Sequence, residues 1–130
     1  MIRREGGILH EKVTHEIIGV FFEGYNELGY GFLESVYSAA LADVLKERGH
    51  TVFRQLAVTV QFRGTAIAWQ RLDMVVDDCG ILEIKASREL AKIAPRQLYN
   101  YLKATNLEVG LLLHFGPNPA FYRLASPRGR

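Results

Sequence analysis

The chain has 130 residues, a formal net charge of +2 and a single cysteine, Cys79. That length predicts one domain, residues 1–130, able to bury roughly two thirds of its unfolded surface, and a lone cysteine excludes an internal disulfide and fits a reducing cytoplasm. No apolar run reaches the roughly 18 residues of a membrane span and the start Met1-Ile-Arg-Arg-Glu-Gly-Gly7 lacks a signal segment, so a soluble, cytoplasmic protein with no membrane partner is expected.

The slight basic excess neither requires nor opposes a nucleic-acid partner, and part of it is terminal: Arg3, Arg4 and Pro127-Arg-Gly-Arg130 read as frayed, solubilising ends. Val13, Ile17, Phe21 and Leu28 recur at helical spacing and predict a first helix from about Leu9 to Leu28. His10 and His15, five apart, do not share a face and make no metal pair. Gly29-Tyr-Gly31 breaks the helix. A second helix is predicted from Phe32 to Arg48, stopping at Gly49, with an apolar arc of Leu33, Val36, Tyr37, Ala40, Leu41, Val44 and Leu45. Glu34 projects from the edge of that arc; as a structural acid it would suit the positive start of a helix.

From Thr51 the period changes to two. Leu56, Val58, Val60 and Phe62 form one face of a half-buried strand, and Arg63-Gly64-Thr65 turns into a second strand, Ala66 to Val76, whose odd face carries Trp69, Arg71, Asp73 and Val75. The turn Asp77-Asp-Cys-Gly80 leads to a third strand, Ile81 to Ala86, with short connections that imply an antiparallel meander. Ser87 to Ala94 is an irregular crossing. Pro95 suits the start of a helix ending near Thr105, on which Gln97 and Tyr101 share a face and Leu98 and Leu102 pack inward. The nearly unbroken apolar run Val109-Gly-Leu-Leu-Leu-His-Phe115 predicts a strand covered on both faces, parallel to the third strand across a right-handed crossover. His114 within it reads as a satisfied core histidine. Phe121-Tyr-Arg-Leu124 closes the sheet as an edge strand.

The stretch Arg71 to Lys85 concentrates the chemistry. Glu83 and Lys85 look one way along their strand while Leu82, Ile84 and Ala86 look the other, which makes the even face the expected core face. If the turn centres on Asp78, Asp73 falls opposite Glu83; a register slipped by one would separate them. Two neighbouring carboxylates raise the pKa of one unless a cation lies between them, and such hard oxygens suit Mg²⁺ or Mn²⁺. The competing reading is a solvated strand face with a surface ion pair of little worth.

Gly31-Phe-Leu-Glu-Ser-Val-Tyr37 resembles the signature of the GxxExxY family, a branch of the PD-(D/E)XK nuclease superfamily. The resemblance extends over nearly the whole chain, through Glu16-Ile-Ile-Gly19, Glu27-Leu-Gly29, the Asp73 strand, Glu83-Ile-Lys85, Gln97-Leu-Tyr-Asn-Tyr-Leu102 and Val109 to Gly116. It implies an α/β, restriction-endonuclease-like core, a mixed central β-sheet flanked by helices in the order α-α-β-β-β-α-β-β. It also implies an active centre of Glu34, Asp73, Glu83 and Lys85 accompanied by Gln97. Two features depart from the pattern: Leu72 precedes Asp73 where the superfamily's name has Pro nearby, and Ala94 stands where many relatives carry His.

The chemistry expected of such a site is hydrolysis of phosphodiester bonds in DNA, ahead of RNA. Asp73 and Glu83, with Glu34 and the Ile84 carbonyl, would hold Mg²⁺, with Mn²⁺ as substitute, while Lys85 stabilises the developing oxyanion and Gln97 positions by hydrogen bonds. The alternative is a catalytically silent module that binds nucleic acid or forms a homo-oligomer, with Trp69 and Tyr30 as candidate exposed aromatics. A homodimer is compatible with either reading, since related nucleases pair to cut two strands.

Overall fold

A computed structural model describes residues 10–126. The predicted order of elements is found, as α1 (Glu11–Leu28), α2 (Glu34–Glu47), β1 (Val52–Phe62), β2 (Thr65–Val76), β3 (Gly80–Lys85), α3 (Ala94–Ala104), β4 (Val109–Phe115) and β5 (Pro119–Ala125). Leu9 and the basic residues at both ends, Arg3, Arg4 and the stretch from residue 127, lie outside the described residues.

The strands form one mixed sheet in the order β1-β2-β3-β4-β5. β1, β2 and β3 pair antiparallel through short turns, β3 and β4 pair parallel across the α3 crossover, and β5 returns antiparallel as the far edge. Helices cover both faces. Met74, Val76, Leu82, Ile84, Leu111, Leu113 and Phe115 pack on Ile17 and Phe21 of α1 and on Tyr37, Leu41 and Leu45 of α2. Leu72, Val75, Ile81 and Leu112 pack on Ala94, Leu98 and Leu102 of α3. The even face of β3 is therefore only one of two core faces, which corrects the one-sided expectation: the strand is buried from Gly80 to Ile84, Glu83 included.

Two local departures shape the site. Gly31 at φ +112° and Leu33 in an extended conformation (ψ 154°) keep the chain out of the helix until Glu34, two residues later than predicted. The buried face of α2 is accordingly Tyr37, Ser38, Leu41, Ala42 and Leu45, while Leu33 and Val36 are exposed. The second departure is a crease across the β1–β2 ribbon. Gln55 adopts φ +54°, and the register passes from Arg54↔Met74 to Leu56↔Leu72 without pairing Gln55 and Asp73. Met74 faces α1 and α2, yet Leu72 lies with Val75 on the α3 side, so the alternation restarts at the crease.

β1 and β2 also outrun the sheet, with 11 and 12 residues against six in β3. The outer ribbon has no third strand beside it. Val58 is still packed against the α3 cluster, but Leu56 and Phe62, expected on a core face, stay exposed for want of a covering element.

Candidate active site

The β2–β3 turn carries left-handed residues at Asp77 and Asp78 and pairs Val76 with Gly80, so it centres on Asp78 and sets Asp73 opposite Glu83. Regular pairing ends one step earlier, at Met74↔Leu82. There side chains replace the ladder. The Ile84 N–H donates to Asp73 Oδ2 at 2.8 Å, and the Asp73 N–H reaches Glu83 Oε1 at a long 3.5 Å. The two carboxylates thus occupy the gap where the strands part, and each satisfies a backbone donor that the ladder no longer serves. Burial, reinforced by the Asp73 charge and more weakly by Glu34, pushes the Glu83 carboxyl up to about 7 against the opposing pull of Lys85. Lys85 follows Glu83 by two residues on the same strand face and sits in register with His114 of β4.

On one side of this pair stands the start of α2. Glu34 is its first residue, and the preceding turn is held by Tyr37: its buried hydroxyl donates to the Gly29 carbonyl at 2.7 Å and accepts the Phe32 N–H at 3.2 Å. The Tyr37 ring stacks on Phe115, centroids 4.0 Å apart at 16°. Read as one apolar residue among several, Tyr37 is instead the post that fixes where Glu34 enters the helix. Glu34, Ser35 and Ser38 line a cleft of about 300 Å³ together with Arg54, Gln55, Asp73 and Ile84. Arg54 crosses it, donating from Nε to Ser38 Oγ at 3.3 Å.

On the other side stands α3. The Tyr101 hydroxyl donates to Gln70 Oε1 at 3.2 Å, and burial together with the Glu83 and Asp73 charges raises its pKa, which marks the phenol as a neighbour of the carboxylates. Gln97 lies one turn earlier on the same helix face and is exposed. Tyr101 was legible only through that i,i+4 spacing. Ala94 is buried among the α3 core residues. His114 is a satisfied core residue, donating from Nε2 to the Ser87 carbonyl at 2.7 Å.

Asp73, Glu83 and Lys85 are thus gathered where β3 ends and parts from β2, Glu34 shares the cleft with Asp73, and Gln97 stands on the flanking helix. A larger depression of about 670 Å³, lined by Thr59, Val60, Gln61, Asn100, Lys103 and Ala104, contains no carboxylate and is set apart from this chemistry.

Comparison with known proteins decides the family. A model of the PD-(D/E)XK nuclease superfamily matches residues 11–124. The chain belongs to that superfamily. No curated protein matches it. Among solved structures, the crystal structure of SSO0001 is similar with a TM-score of 0.57 and 22% identity, over 72% of this chain and 50% of that one. At that identity the likeness shows the fold, and this chain spans half the length of that protein. PD-(D/E)XK nucleases generally act on nucleic acid and use divalent metal ions.

The residues present fit such an ion. Two hard carboxylates lie in a gap, one driven toward neutrality by burial and further by the charge of the other, and a divalent cation would offset both effects. Among the described residues no group of three or more His, Cys, Asp or Glu side chains is placed to hold a metal. Among the described residues no helix is long and apolar enough to cross a membrane.

Proposed function

We propose that this chain is a metal-dependent nuclease of the GxxExxY branch that hydrolyses phosphodiester bonds in DNA, ahead of RNA. The observation that carries the reading is the pair Asp73 and Glu83, side by side in the gap between β2 and β3, with Lys85 on the same strand as Glu83. Asp73 and Glu83 would hold Mg²⁺, or Mn²⁺ in its place, with Glu34 and the Ile84 carbonyl as further oxygen donors. The bound ion supplies neutralising charge at the scissile phosphate and a more acidic water.

The protein's own groups do the rest. The Ile84 N–H holds the Asp73 carboxylate in one orientation, so that it does not collapse onto a neighbouring cation. Lys85, a compact and strongly hydrated cation, orients the attacking water and offsets charge gathering on the phosphoryl oxygens. Gln97 and Tyr101 offer neutral hydrogen bonds from α3 to the substrate backbone. The half-buried Cys79, with its thiol pushed up to about 11 by burial and by nearby acids, takes no nucleophilic or redox role. A homodimer would place two such sites in one particle.

A second reading, a silent nucleic-acid-binding or homo-oligomeric module, is favoured by one observation: Trp69 and Tyr30 are both exposed. Mg²⁺-dependent cleavage of single-stranded, duplex and branched DNA separates the two. Asp73→Ala and Lys85→Ala should each lower the rate by about a hundredfold or more; equal activity in both variants would assign the cleavage to another site and sink the hydrolase reading.

A further inference from the structure

The outer β1–β2 ribbon leads into the carboxylate cleft. Arg54 bonds to Ser38 of α2, while Leu72 packs under α3 and Gln70 bonds to Tyr101 of α3. Arg71 and Trp69, alternating with Leu72 and Gln70, therefore project from the face on which the cleft opens. They precede Asp73 by two and four residues, about 7 and 13 Å along a strand. Their cross-strand partners are Ala57 and Thr59, too small to cover an indole or a guanidinium. Trp69 is 71% exposed, and Ile67, two residues further out and left unpaired by the register shift between the Ala68 and Ala66 pairings, is 62% exposed. At the tip the Arg63 guanidinium lies 5.0 Å over the Phe62 ring.

Charge is as one-sided as the apolar surface. From Val52 to Leu72 there are three arginines, Arg54, Arg63 and Arg71, and not one carboxylate. A symmetric contact between two copies of this ribbon would bring arginines toward arginines without an acid to pair them. A polyanion with flat apolar faces meets the same surface favourably, because its phosphates pair with the guanidinium groups and its bases stack on the indole.

Taking the carboxylate site as the phosphodiester-cleaving centre proposed above, we infer that the ribbon is a stacking platform for single-stranded nucleic acid, with Trp69 receiving an unpaired base and Arg71 the phosphate next to it, so that the strand runs on into the cleft lined by Glu34 and Asp73. A duplex hides its base faces in the helix and would set sugar and phosphate against Trp69 and Ile67. The platform therefore selects unpaired strands or frayed ends.

Trp69 is the only tryptophan, so its emission reports the platform alone. With EDTA present to keep the strand intact, titration with a mixed-sequence DNA oligonucleotide of about 15 nucleotides should quench the emission saturably, and the blunt duplex of the same sequence should not. Trp69→Ala should weaken binding of a labelled single strand, read by anisotropy, by about tenfold or more. Arg71→Ala should weaken it and reduce its dependence on salt. Absent quenching, equal quenching by duplex, or unchanged affinity in Trp69→Ala overturns the inference. So does sedimentation showing a dimer that Trp69→Ala dissociates, which would make the ribbon a self-interface. Hydrolysis of bis(p-nitrophenyl) phosphate by the wild type and by Asp73→Ala tests the carboxylate site separately. Failure there with single-strand quenching intact removes the hydrolase reading and keeps the platform, and the converse removes the platform alone.

Discussion

Glu83 is built for a charge that the bare protein disfavours. With its carboxyl raised from 4.5 to about 7, the folded state holds a proton that the unfolded chain releases, a difference of roughly 3 kcal/mol. Stability without metal therefore falls as pH rises from about 4.5 to 7 and stays reduced above that. Glu83→Gln keeps an acceptor for the Asp73 N–H and removes the buried charge. Its melting temperature at pH 8 in EDTA should exceed that of the wild type, by up to about 3 kcal/mol of stability, while the rise that Mg²⁺ or Mn²⁺ produces in the wild type should disappear. Thermal unfolding with and without metal checks both halves. A site that gives up native stability for an ion-binding charge is the usual trade at a functional centre.

At the scale of the element, the residues that open α2 act as a unit. Gly31 supplies a positive φ, Glu34 takes the first helical position, and Tyr37 one turn on reaches back to close the turn it came from. Tyr37→Phe keeps the stack on Phe115 and leaves the Phe32 N–H and the Gly29 carbonyl without that partner. A loss of about 1–3 kcal/mol is expected, with faster amide exchange at Phe32 and weaker Mg²⁺-dependent cleavage through a displaced Glu34. Hydrogen exchange followed by NMR separates the local loosening from global unfolding. None of this was legible in the hydrophobic spacing of α2, which also admitted Leu33 and Val36 to the buried arc. Periodicity reports which residues could share a face; where the helix begins was decided by Gly31 and by a hydroxyl bonding backward.

Across the whole molecule, His50 ties three segments together. Its Nδ1 lies 2.6 Å from Asp77 Oδ2 in the β2–β3 turn and its Nε2 2.7 Å from Glu16 Oε1 on α1, while Asp77 Oδ1 accepts the Thr51 N–H. The Asp77 hydrogen bond leads the effects that raise the His50 pKa above 6.5, and hydrogen bonds from His50 and Thr51 hold Asp77 below 3.8 against its burial. The raised histidine adds stability that is complete below pH 6.5 and lost as pH climbs through its folded pKa; the lowered aspartate adds stability present above 3.8 and lost as pH falls through its own. The tie is whole between about pH 4 and 6.5. His50→Ala should cost of the order of 2 kcal/mol at pH 5.5 and less at pH 9, read from urea unfolding at the two values.

Element order, the parallel β3–β4 pair and the Asp73–Glu83 register were readable because each rests on local periodicity or on a turn whose length sets the pairing. The restart of alternation at Gln55 and Asp73 was not. Nothing in their residue types announces a left-handed glutamine, and the break arises where β2 leaves β3 and its pairing lapses.

That crease divides the ribbon into two lengths with separate duties. Inward of it, every residue is fixed by the sheet and by the acids. Outward, the two strands pair only with each other and lean on α3. If the ribbon carries substrate as proposed, adding or deleting matched rungs near the tip at Gly64 should alter its reach while Asp73 and Glu83 keep their places, so that length there would change selectivity and spare the reaction.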